Sequence, residues 1–112
     1  MSERYDLVIV GMGSGGMAAA EFAAALDLQV AVVERGRVGG DGLWTGSVPS
    51  KALLATARAA HTIRHAGLYG LTSTEPLIDL SMVWRRIRAV QAHIARTDDD
   101  PARYRAMGLT II

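Results

Sequence analysis

Hydrophobic residues along this chain come in two rhythms. Tyr5–Val10 is a short apolar run that stops at Gly11, which predicts a strand buried on both faces. From Ser14 to about Leu28 the chain is rich in alanine, methionine, phenylalanine and glutamate, all compatible with a helix. Gln29–Glu34 is β-branched and apolar before it turns charged, and predicts a second strand. Strand, glycine turn, helix and strand together make a βαβ unit of the expected length, about 30 residues.

The pattern then breaks. Arg35–Gly46 contains five glycines and reads as loop. Val48-Pro49-Ser50 leads into a helix running to about Ala66, with Pro49 in its first turn. Gly67–Leu77 is a second loop. Asp79 or Ser81 caps a further helix in which Val83, Ile87, Val90 and Ile94 share one face. Its outer face carries Arg85, Arg86, Arg88 and Arg96, read as solvated. Asp98–Asp100 and Pro101 start a short helix that Gly108 ends, and Leu109–Ile112 begins a third strand. The expected fold is α/β: a Rossmann-like parallel sheet of order 3-2-1 with a helical hairpin beside it. A strand-like run at the C-terminus predicts a truncated domain, and Tyr5–Val10 is expected to keep an unpaired edge.

Composition removes several functions. The 112 residues suit one domain, and a net charge of +1 leaves no footprint for nucleic acid or an anionic membrane. No run approaches the ~18 apolar residues of a spanning helix, and no signal peptide is evident, so a cytoplasmic protein is expected. Zero cysteines exclude disulfides, thiolate metal sites and cysteine nucleophiles. His61 and His65 stand four apart on a helix but lack a third ligand, so no metal site is expected.

Gly11-Met12-Gly13-Ser14-Gly15-Gly16 satisfies GxGxxG between a strand and a helix N-terminus, where a dinucleotide site requires it. Gly11 permits the tight turn, Gly13 lets backbone approach a pyrophosphate, and Gly16 lets the helix pack closely on the strands. The helix, opened by Ser14 and Gly15, offers free N–H groups and a partial positive charge to phosphates. Glu34 ends the second strand, where a carboxylate accepts hydrogen bonds from ribose hydroxyls, and Arg35 follows it.

The next segment, Gly39-Gly40-Asp41-Gly42-Leu43-Trp44-Thr45-Gly46-Ser47-Val48-Pro49-Ser50-Lys51, resembles the active-site signature G-G-T-C-x-N-x-G-C-x-P-S-K. That signature marks the pyridine nucleotide–disulfide oxidoreductases, the class that includes glutathione reductase, dihydrolipoamide dehydrogenase and mercuric reductase. Gly39, Gly40, Gly46, Pro49, Ser50 and Lys51 match. Asp41 and Trp44 replace the usual threonine and asparagine, resembling the mercuric reductase-like branch. Gly42 and Ser47 stand where the family has its two redox cysteines, so dithiol chemistry is not available to this chain.

The resemblance implies FAD as cofactor, with Lys51 either near the flavin ring or simply solvated. Asp41 either meets the cofactor through its backbone or caps a helix. In full-length members the resemblance implies a second FAD motif, an NAD(P)H domain and a C-terminal dimerisation domain, all expected to be absent from this chain. The family's catalytic histidine lies in that C-terminal part, so no catalytic residue is expected here. Three functions follow: the FAD-binding part of a flavoprotein oxidoreductase, a flavoprotein without dithiol chemistry such as a transhydrogenase or diaphorase, and an inert FAD-binding fragment.

Overall fold

A computed structural model describes residues 2–112. Strand β1 (Leu7–Val10) leads through the glycine turn into helix α1 (Ser14–Ala25) and strand β2 (Val30–Val33). Helices α2 (Gly40–Trp44) and α3 (Ser47–Arg64) follow, then a 3₁₀ turn at Ala66–Tyr69. Helices α4 (Leu80–Arg96) and α5 (Pro101–Ala106) precede strand β3 (Thr110–Ile111). The sheet is parallel in the order β1-β2-β3, with Leu7 opposite Val30 and Ala31 opposite Thr110. The central strand is therefore β2, and Val30, Ala31 and Val32 are its buried residues.

Caps follow from residue chemistry. Asp79 accepts from the Ser81 and Met82 N–H groups and starts α4. Asp100 accepts from Ala102 N–H, while Pro101 occupies the first helical position where its missing N–H costs nothing. The core joins Met12, Ala20, Ala23, Val30, Val32, Tyr104 and Leu109. Small alanines on α1 let it lie close to the sheet, and Tyr104 fills the space under α5. Its hydroxyl donates to the Asp98 carbonyl at 3.2 Å, so the polar end of a buried ring is satisfied.

Two expectations are corrected. Arg35–Gly46 is not all loop, because Gly40–Trp44 closes a helix. Gly39 and Gly40 take positive φ angles of 109° and 59°, which turn the chain into it, and buried Leu43 anchors it. Nor is β1 buried on both faces: Leu7, Val8 and Val10 are exposed, Val10 by 85%. As the edge strand it lacks a neighbour on one side among the described residues.

The α3–α4 hairpin projects from this layer, which makes the molecule 70 × 26 × 18 Å with a radius of gyration of 19.9 Å. A compact domain of this length would have a radius near about 13 Å. At its base, Gln91 on α4 is buried, and its Nε2 donates to the Leu43 and Trp44 carbonyls, both at 3.0 Å. Those carbonyls end α2 and have no helical partner, so one amide closes α2 and fixes the hairpin to the sheet layer.

Candidate functional site

The glycine turn is built by close approach. Gly11 has φ 95°, and its N–H donates to the Val33 carbonyl at 2.7 Å, which binds the end of β1 to β2. A β-carbon on Gly16 would lie 2.0 Å from the Gly11 carbonyl oxygen, so only glycine lets α1 start this near the strand. One on Gly40 would lie 2.7 Å from the Gly13 Cα, and the Gly39 N–H donates to the Met12 carbonyl at 2.9 Å. The Gly39-Gly40 turn is therefore docked on the Gly11–Gly16 turn. The expected site segments, about 25 residues apart in sequence, meet here through backbone.

Gly13 and Gly15 differ from these. A β-carbon on Gly15 would meet nothing within 4 Å, and one on Gly13 only the Gly40 Cα at 3.9 Å. Gly13 is the N-cap of α1, with extended φ of −87°, and it gives the helix no capping side chain. The first N–H groups of α1, from Ser14 and Gly15 onward, thus face an open approach with no side chain over it. This is the arrangement that attracts an anion.

Glu34 lies at the other end of the same cradle. Its Oε2 accepts from Met12 N–H at 2.6 Å and its Oε1 from Gly36 N–H at 3.0 Å. The Met12 bond, then the Gly36 bond, hold the carboxyl below its ordinary range. It is therefore an acceptor-only carboxylate at neutral pH, and each oxygen keeps a free lone pair. Two hollows open beside it. One of about 240 Å³ runs from Glu34 past Arg35 and Arg37 to Gly40, Asp41 and Trp44. The other, about 410 Å³, lies between Arg37, Asp99, Arg105 and the end of β3. Burial, then the neighbouring Asp98, pushes the Asp99 carboxyl up.

The remaining expected residues are placed less centrally. Arg35 is exposed on the smaller hollow. Asp41 lies in the first turn of α2, whose N-cap is Gly39, so it does not cap that helix through its side chain. Lys51 is exposed near the start of α3 and takes part in no hydrogen bond or ion pair among the described residues. His61 and His65 stack on each other with ring centroids 4.0 Å apart. Three residues were not legible as part of the site. Met12, a variable position of the motif, is fully buried and supplies the N–H to Glu34. Arg37 stacks on Trp44, and Gln91 holds α2 from a distant helix.

Gly42 and Ser47 are brought together. A β-carbon on Gly42 would lie 3.8 Å from Ser47 Oγ, and that hydroxyl donates to the Gly42 carbonyl at 3.5 Å. The two positions face each other across the α2–α3 turn.

Among known proteins, the family pattern described as "Pyridine nucleotide-disulphide oxidoreductase" matches residues 5–105. The chain belongs to this family. Dihydrolipoyl dehydrogenase of Zymomonas mobilis is 43% identical over 95 residues, covering 85% of this chain and 20% of that protein. Mercuric reductase of Streptomyces lividans is 47% identical over 76 residues, 67% of this chain and 16% of that one. Among solved structures, LpdA from Mycobacterium tuberculosis superimposes with a TM-score of 0.80 at 29% identity over 95% of this chain and 22% of its own. The fold is accordingly the Rossmann-like α/β fold of the family. The chain spans about a fifth of the length of the relatives it matches. It departs from the family signature in carrying no cysteine. No helix among the described residues is long and apolar enough to cross a membrane.

Proposed function

We propose that this chain is the FAD-binding part of a flavin-dependent oxidoreductase of the family, without dithiol chemistry. Residues 1–112 form part of a dinucleotide-binding domain in this reading. The observation that carries it is the pairing of an open, uncapped α1 N-terminus with an ionised Glu34 hydrogen-bonded to the same turn. The donor set fits the cofactor. The N–H groups at Gly13, Ser14 and Gly15 would hold the pyrophosphate, and the free lone pairs of Glu34 would accept the ribose hydroxyls. Arg35, Gly39, Gly40 and Asp41 would border the cofactor, and Lys51 would lie toward its ring. Gly11 and Gly16 keep the turn and α1 in register beneath it.

FAD, when bound, supplies two-electron exchange with a nicotinamide. This chain's residues bind and orient; none offers a thiolate to relay electrons to a disulfide or a mercuric ion. NAD(P)H would be the electron source, and a homodimer the state of a full-length parent, in the cytoplasm, with neither nucleic acid nor membrane as partner. The missing thiols favour transhydrogenase- or diaphorase-type turnover as the second reading, because hydride transfer between nicotinamide and flavin needs no cysteine.

Gly13→Val tests the cofactor assignment cleanly. The extended backbone and the 3.9 Å clearance admit a β-carbon, so the fold should persist while the ligand's approach is blocked. Titration of FAD by fluorescence quenching should show binding by the parent chain and none by the variant at equal circular dichroism. Unchanged FAD affinity in Gly13→Val would sink the assignment.

A further inference from the structure

Trp44 and Arg37 form a pair that this reading leaves unused. The half-buried Trp44 indole donates through Nε1–H to the Val38 carbonyl at 3.0 Å, and Gln91 holds the Trp44 carbonyl at 3.0 Å. The ring is thus tied to Val38 ahead of α2, and its backbone is held at the end of that helix. On its face lies the Arg37 guanidinium, 3.9 Å from the ring centroid. Arg37 makes no ion pair among the described residues, although Glu34 and Asp41 border the same groove. Stacking occupies one face of the guanidinium and leaves its N–H edge free to bond.

The groove is bordered by Glu34 and by Gly40, and Gly40 packs on Gly13 at the start of α1. Both of its cations are exposed, but Arg35 stacks on nothing among the described residues, so a ligand would have to order its whole side chain, whereas Arg37 is already held on Trp44. The α1 terminus supplies only about half a unit of positive charge. Each phosphate of a dinucleotide carries a full negative one. A preorganised cation beside this path therefore has a chemical purpose.

We infer that Arg37, stacked on Trp44, is a positioning residue for the phosphates of a dinucleotide seated on the Gly11–Gly16 turn. Its guanidinium edge donates charge-assisted hydrogen bonds to phosphate oxygens. The inference rests on the dinucleotide reading above and adds a residue outside the glycine fingerprint. Trp44 acts through Arg37 by holding it over the groove.

Equilibrium dialysis of FAD, ADP and adenosine against the chain and its Arg37→Gln, Arg37→Lys, Trp44→Leu and Arg37→Gln/Trp44→Leu variants tests this. At low ionic strength Arg37→Gln should weaken FAD and ADP about fivefold while adenosine is unaffected. The difference should vanish at about 0.5 M salt, where exposed charges are screened. Arg37→Lys should fall between, because it keeps charge and loses the fork. Trp44→Leu should weaken binding less than Arg37→Gln, and the double variant should bind no more weakly than Arg37→Gln alone. Equal weakening of ADP and adenosine, or a loss that persists in salt, would give Arg37 another role and overturn the inference. Unchanged FAD binding by Arg37→Gln would overturn it and leave the cofactor assignment standing. Absence of saturable FAD binding by the parent chain would overturn both.

Discussion

Placing cysteine at positions 42 and 47 together should produce a disulfide without disturbing the fold. Gly42 lies within α2 and is not among the residues with positive φ, so its backbone admits a side chain. The β-carbon so created sits 3.8 Å from Ser47 Oγ, and apart from its chain neighbours and its own helix backbone no other atom lies within 4 Å of it. Ser47 is exposed and its hydroxyl already points at residue 42, so a sulfur there meets open space. Closing a loop of about six residues restricts the denatured chain by about 2 kcal/mol in the loop-entropy view. That is a ceiling, since bond-angle adjustment across the turn subtracts from it. In urea it corresponds to a midpoint shift near about 1 M. The assay is thiol titration of the double variant after equilibration in glutathione buffer, paired with urea unfolding with and without reductant. No reactive thiol should remain in the oxidised form, and reductant should remove the added stability. Two free thiols in the oxidised, folded double variant would refute the geometric reasoning, because facing positions at this separation have no other reason to stay apart.

The same geometry sets other outcomes. Gln91→Leu should destabilise the chain by about 1–3 kcal/mol in thermal or urea unfolding, because the Leu43 and Trp44 carbonyls lose their donor at the base of the hairpin. Glu34 and Asp99 should move stability in opposite directions with pH. The Glu34 carboxyl is depressed by the Met12 and Gly36 N–H groups, so its contribution is present above the ordinary glutamate value of about 4.5 and fades as pH falls through the lower folded value. Glu34→Gln should therefore be less stable than the parent at pH 7 and converge with it in acid. Asp99 is raised by burial, so its charged form penalises the fold at neutral pH. Asp99→Asn should gain stability at pH 7, and the gain should disappear as pH drops below the ordinary aspartate value of 3.8. Thermal melts across pH 3–8 read both, and parallel curves for parent and variant would count against either assignment.

Local chemistry determined much of this protein before any tertiary contact was considered. A short apolar run, a glycine turn, an alanine-rich helix and a second strand specify a βαβ unit because each choice acts within a few residues. The caps were legible for the same reason: Asp79 and Asp100 bond to N–H groups only two or three positions on, and Pro101 has its φ preset. Glu34 could be named from its place at a strand end, and Gly11 and Gly16 from the motif's own geometry. What the tertiary structure alone decided depended on residues far apart in the chain. Helix α2 lies in a segment whose glycines argue for loop, and it closes because the Gly39-Gly40 turn docks on Gly13 and Gln91 takes its last carbonyls from 47 and 48 residues away. No propensity encodes that hydrogen bond. The exposure of β1 depends on its place at the edge of the sheet, since an apolar strand sequence reads the same in the middle or at the side. Trp44 was visible as a departure from a family asparagine, but its partner was not, because stacking depends on where the α2 turn carries the ring relative to Arg37. Periodicity and capping chose the elements; the closeness of backbone at a few glycines decided how those elements face one another, and so where the cradle opens.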